Sequence, residues 1–167
     1  MGNTPVEFHA FTTRCNGIAG SLRNTAGIES NGNRIEVTAL WDTGATNSCI
    51  SHDVVQKLSL TPTGKITIQT PSGASVMDTF MVNVLLPNRV IIPDVVVCDS
   101  DIGAQGIGML IGMDIIRLGD FAVSNYDGKT VFTFRLPSKQ TTDYVQQINL
   151  ANIMGPPHGP GKRKRKR

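Results

Sequence analysis

A chain of 167 residues, 40 % hydrophobic and 17 % charged, has the length and apolar content to enclose one globular core. No stretch approaches the roughly 20 consecutive apolar residues of a membrane-spanning helix, and Met1 to Phe11 lacks the basic and apolar regions of a secretory signal. Net charge is +3, but Lys162 to Arg167 alone carries +6, so residues 1–161 carry −3 and offer nucleic acid no broad basic face.

Val6 to Arg14 alternates and is rich in Phe and Thr, which predicts a strand. Asn16-Gly17 signals a turn, and Gly20, Asn24 and Gly27 read as a loop-rich passage up to a second turn at Asn31-Gly32-Asn33. From Arg34 to Trp41 the pattern is a strand, with Ile35, Val37 and Ala39 on one face. It becomes apolar on both faces as it reaches Asp42-Thr43-Gly44-Ala45. A carboxylate on such a turn, held among apolar groups, is suited to acid–base work. It is also what an ordinary strand-to-turn Asp looks like.

Ser51 is placed to cap a helix running to about Leu58. Ser51-His52-Asp53 has the residue types of a hydrolase triad, but adjacent helical residues do not face one another. Lys65 to Gln69 and Ser75 to Leu86 make a hairpin turning at Pro71-Ser72-Gly73. After a turn at Pro87-Asn88, Val90 to Cys98 reads as a buried strand with Pro93 at an edge or bulge. Asp99 to Gly108 is a glycine-containing loop without the Gly-Lys-Ser/Thr of a phosphate loop. Met109 to Gly112 is a short strand, and Met113 to Leu118 a short helix with Asp114 in a structural role near its positive end. Asp127-Gly128 joins Phe121 to Tyr126 and Lys129 to Leu136 as a hairpin.

After Pro137 the composition changes. Thr141 to Met154 is at best a marginal helix, a Gly/Pro segment follows, and the basic run ends the sequence. The division expected is a domain over residues 1–137 and a flexible extension over 138–167. The tail from Lys162 to Arg167 suits nucleic acid, an anionic surface or an acidic partner, and equally suits simple solubility. Cys15, Cys49 and Cys98 are odd in number and far apart in sequence. They read as reduced thiols of a cytoplasmic protein rather than a disulfide framework. His9, His52 and His158 are scattered, and no metal-ligand spacing occurs.

Strand, Asp-Thr-Gly-Ala, helix, hairpin, apolar strand, Ile-Gly, short helix and closing hairpin, in that order over residues 6–136, resemble the retropepsin family of retroviral-type aspartic peptidases with its cellular and bacterial relatives. The resemblance rests most on Ala39 to Ala45 and on Leu110-Ile111-Gly112 followed by a helix. It implies an all-β closed barrel or sandwich with one or two short helices, active as a C2 homodimer. It implies an aspartic endopeptidase acting on polypeptide substrate without a cofactor or metal.

By the same resemblance Asp42 is the catalytic carboxylate. Thr43 grips the partner loop, and Gly44 permits close approach. Ala45 lies beside the substrate. Thr70, Pro71, Ser72, Gly73 and Ala74, with Ser75, form the flap tip, and Leu110, Ile111 and Gly112 line the pocket behind the loop. Such chemistry needs two carboxylates sharing a proton, and the chain holds a single Asp-Thr-Gly, so a second copy must supply the other Asp42.

The departures are Trp41 before the Asp, Met113 where viral members carry Arg, and one flap glycine instead of a cluster. Ala45 carries no hydroxyl to favour the charged dyad, which points to a weakly acidic to neutral pH optimum. Two rival readings stay open. One is a non-catalytic peptide- or protein-binding dimer of the same fold. The other is a nucleic-acid-associated protein acting through its tail.

Overall fold

The computed structural model of the chain describes residues 7–70 and 73–154. Val6, the flap residues Pro71 and Ser72, the Gly/Pro segment after Met154 and the tail Lys162 to Arg167 lie outside the described residues. Ten strands carry the fold: β1 (His9–Arg14), β2 (Leu22–Ser30), β3 (Asn33–Trp41), β4 (Cys49–Ser51), β5 (Gly64–Thr70), β6 (Gly73–Leu86), β7 (Val90–Ser100), β8 (Met109–Ile111), β9 (Asp120–Ser124) and β10 (Val131–Leu136). The helices are α1 (His52–Lys57), α2 (Met113–Ile116) and α3 (Tyr144–Met154).

The larger sheet runs β2-β3-β8-β4-β7-β6-β5, and a further β2–β6 pairing at residues 27–29 closes it. Six strands therefore form a ring, and β5 stands outside it, paired with β6. This is the mostly-β closed architecture expected. β3 shows how it is made: Ala39 and Trp41 are buried while Arg34, Glu36 and Thr38 face water. The ring core is aliphatic, with Ile28, Ile50, Val84, Val97, Met109 and Ile111 fully buried.

The passage around Asn24 and Gly27, expected as loop, is instead strand β2, paired with β3 over nine residues. Its small residues mark close packing rather than a turn. A Cβ on Gly27 would lie 3.2 Å from the Leu85 Cβ and 2.9 Å from Arg34 Nε, so the strand can pass there only without a side chain. The Pro93 expectation holds. Register shifts between Val82 and Val84, opposite Pro93, and Asp94 turns out at φ 54° with its N–H donating to Asn83 Oδ1.

The second sheet, β1-β10-β9, packs on the ring through aromatic rings. Trp41 stacks on Phe121 at 5.0 Å between centroids, tilts against Phe134 at 5.2 Å and meets Phe11 at 5.7 Å. Such pairs add about 0.5–1.5 kcal/mol each beyond burial. The Trp41 Nε1–H donates to Asn24 Oδ1 at 2.8 Å, so its polar edge is paired as well. Trp41 thus fills core volume and welds the two sheets.

Asp120 ties off the end of the second sheet. Its carboxylate accepts from the Arg135 guanidinium, the Ser138 hydroxyl and the Lys139 N–H. The first residues of the extension are therefore fastened to the barrel. Beyond them α3 is capped by Asp143, whose Oδ1 accepts the Gln146 N–H. No helix among the described residues is long and apolar enough to cross a membrane.

The Ser138, Lys139 and Arg135 donors hold the Asp120 carboxyl well below the usual carboxylate range. A depressed folded-state pKa contributes stability above the unfolded value, near 4, and loses it as pH falls toward the folded value. Asp120→Asn is therefore expected to lower Tm at pH 7. The gap from wild type should shrink as pH is lowered below about 4, as thermal melts across pH would show.

Candidate active site

β3 delivers Asp42 to the surface at the end of a strand whose last residue is locked in the aromatic core. Asp42 is half-buried, and Thr43 and Gly44 are exposed. The Asp42 Oδ1 accepts the Gly44 N–H at 2.8 Å, which fixes the carboxylate against its own turn. An added Cβ at Gly44 would sit 3.2 Å from that oxygen, a tight contact with the carboxylate.

The loop is strapped along its length to the segment joining β8 and α2. Asp42 N–H donates to the Ile111 carbonyl at 2.9 Å. Met113 N–H donates to the Ala45 carbonyl at 2.8 Å, and Asp114 N–H to the Thr46 carbonyl at 3.1 Å. Gly112 is what lets the two backbones meet. A Cβ there would lie 2.8 Å from the Asn47 carbonyl and 2.9 Å from the Ala45 oxygen.

One buried hydroxyl completes the strap. The Ser48 Oγ–H donates to Asp114 Oδ1 at 2.6 Å, and the same oxygen accepts the Gly112 N–H at 2.9 Å. The Ser48 N–H donates to Asp114 Oδ2 at 2.8 Å. Asp114 Oδ1 also accepts the Ile115 N–H within α2 at 2.9 Å. Asp114 is thus structural, as expected. Nothing in the sequence marks Ser48, beyond its being a hydroxyl entering an apolar run. Its partner is 66 residues away.

The remaining candidate residues divide by position. Ile111 and Gly112 are buried directly behind the loop, and Leu110 is half-buried beside them. Thr70, Gly73 and Ala74 belong to the hairpin, whose pairing runs from Gly64–Thr79 to Thr70–Gly73. Residues 73–78 of β6 pair with β5, not with the ring, so this end of the hairpin projects from the barrel. A cleft of about 310 Å³ joins hairpin and loop, with Asn47 and Asp114 on one wall and Ile66 and Thr79 on the other. It meets the loop at Asn47, not at the Asp42 carboxylate.

The Ser51-His52-Asp53 triplet does not converge. Ser51 is buried, and His52 Nδ1 pairs with Asp99 at 3.0 Å, which raises the imidazole pKa. Among the described residues no group of three or more His, Cys, Asp or Glu is placed to hold a metal ion.

A sequence profile of the aspartyl protease family matches residues 26–115, which take in the strap and Asp42. No curated protein matches the sequence. Among solved structures the chain is similar to a retropepsin-like aspartic protease from Rickettsia conorii, with a TM-score of 0.53 and 15 % identity over 80 % of this chain and 98 % of that one. It is also matched to the protease of simian foamy virus (mac), TM-score 0.41 and 20 % identity, covering 56 % of this chain and 89 % of that one. A retroviral protease-like domain of Ddi1 from Leishmania major matches with TM-score 0.40 and 16 % identity over 70 % and 96 % of the two chains. The Rickettsia likeness is one of fold.

Ser48→Ala removes the acceptor of a buried N–H and a donor to Asp114, and is expected to cost about 1–3 kcal/mol. Gly112→Ala forces apart backbones already in contact and is expected to cost at least as much. Urea unfolding midpoints check both.

Proposed function

Because this chain belongs to the aspartyl protease family and has a retropepsin-like fold, we propose that it is an endopeptidase completed by homodimerisation, with Asp42 from each copy forming one acid pair. The supporting observation is the state of the loop in one chain. Its backbone is strapped from behind, while Thr43 and Gly44 are exposed and Asp42 is half-exposed. That is half of a site with its reactive face unopposed. A twofold axis at that face sets carboxylate against carboxylate.

The chemistry follows from sharing one proton between two like charges. The ionised Asp42 takes a proton from water as its oxygen attacks the peptide carbonyl carbon. The protonated Asp42 gives its proton to the carbonyl oxygen. The tetrahedral diol then collapses, its proton passing by way of the carboxylates to the leaving nitrogen as the C–N bond breaks. No cofactor enters any step.

An extended substrate suits a site floored by β8 and roofed by a projecting hairpin, since both offer strand backbone for pairing. Thr70 to Ala74 would close over it, Ala45 would border it, and Leu110, Ile111 and Gly112 would back the pocket. Residues 1–137 are the catalytic domain in this reading, and 138–167 an extension whose basic tail can engage acidic partners. Reduced thiols at Cys15, Cys49 and Cys98 accord with a cytoplasmic setting.

Asp42→Asn is expected to reduce cleavage of a peptide library by about 10²–10⁴-fold or more while circular dichroism stays unchanged. Retained cleavage would refute the assignment. Sedimentation of the wild type should give a dimer under conditions of activity, and a monomer that still cleaves would exclude the shared site. Ala45→Ser, which restores a hydroxyl beside the pair, should move the pH–rate optimum to more acidic values.

A further inference from the structure

Cys49 and Cys98, remote in sequence, are direct partners in the parallel pairing of β4 with β7. Neighbouring strands lie about 4.8 Å apart, within the roughly 4.4–6.8 Å Cα separation that a disulfide spans. Both side chains are buried, at 7 % and 4 % exposure, in a small apolar cluster with Ile102 and Ile107 and beside Leu40 and Leu110. The Cys98 thiol donates to the Ser48 carbonyl at 3.7 Å. The proximity of the two thiols pushes the Cys49 thiol up and the Cys98 thiol down.

We propose that Cys49 and Cys98 close a reversible disulfide whose formation displaces the Asp42 loop, giving the site an oxidation switch in its floor. A disulfide sets its two Cβ atoms about 3.8 Å apart, so closing the bond draws the Cys49 and Cys98 side chains together and carries the short β4 with them. β4 has three residues and begins directly after Ser48. Ser48 is the hydroxyl that holds Gly112 and Asp114 against the loop. Cys98 N–H is bonded to the Ser48 carbonyl at 3.2 Å, so the other strand pulls on the same residue. A shift of either strand therefore reaches the strap without any intermediate element.

The oxidation is a two-electron step taken up by a diazene such as diamide. The Cys98 thiolate adds to one nitrogen of the N=N bond, the Cys49 sulfur attacks the Cys98 sulfur, and the S–N bond breaks. The thiols lose two protons and two electrons, and the diazene leaves as the hydrazine. Excess thiol reverses the bond by exchange. Strained disulfides are the labile kind, which suits a switch rather than a staple.

The formation of the bond and the movement of the loop stand apart from the peptidase reading, and only the effect on cleavage rests on it. The test uses the full chain carrying Cys15→Ser, so that Cys49 and Cys98 alone remain. After diamide treatment, denaturing alkylation should find both thiols blocked. Trypsin should release residues 35–57 joined to 90–117. Emission from Trp41, the sole tryptophan and the neighbour of Asp42, should shift. Peptide cleavage should fall by about 10–100-fold, as expected for a misplaced catalytic group. A thiol reductant should reverse all four changes.

The proposal is overturned if both thiols of the native chain still alkylate at a diamide dose that oxidises the urea-unfolded chain. It is also overturned if the bond forms and Trp41 emission stays unchanged. If the reduced chain cleaves nothing, mass and emission still decide the switch, and the failure falls on the peptidase reading alone.

Discussion

Everything at the site depends on two stretches of backbone lying closer together than any side chain permits. The segment from Ile111 to Asp114 touches the Asp42 loop through three main-chain hydrogen bonds, and Gly112 is the residue that makes room for them. A buried backbone group must find a partner, so the loop is satisfied from behind and leaves its carboxylate facing outward. The Ser48–Asp114 pair then fixes the distance between the stretches. Rigidity here has a chemical purpose. In the proposed shared site, each Asp42 would have to be held within about 0.5 Å of its place before the two copies meet.

The loop is anchored at its other end by size rather than by hydrogen bonding. Trp41 reaches across to Phe121, Phe134 and Phe11, so the residue before the carboxylate belongs to the seam between the ring and the three-stranded sheet. Displacing Asp42 would mean repacking that seam. This makes the bulky residue at position 41 a positioning device and not merely a filler of volume. The same seam holds β1 and β10 in register, and the Asp120 cluster continues it into residues 138 and 139.

Rigidity of the loop contrasts with the hairpin above it. The end of β6 that pairs with β5 has left the ring, so it pairs with one strand alone. Elements with few neighbours open most easily. In the proposed peptidase, a firm floor and a lightly supported roof would let a polypeptide enter and be held in one geometry.

Much of this was legible in the residues alone. The alternation in Arg34 to Trp41, the Asp-Thr-Gly turn, the bulge at Pro93 and the hairpin at Asp127-Gly128 are local features, governed by side-chain period and by turn chemistry, and they can be read off a short window. β2 was hidden because its glycine and small residues answer to close packing against Arg34 and Leu85, which a window cannot see. Ser48 and the Cys49–Cys98 pair were hidden for the same reason. The role of Ser48 comes from Asp114 in α2, 66 residues on, and that of Cys49 from its strand partner Cys98. The sequence by itself determined that the chain carries a single Asp-Thr-Gly, at Asp42. The tertiary structure alone decided what grips that turn and which thiols pair across β4 and β7, because hydrogen bonding and strand pairing join residues that no local pattern connects.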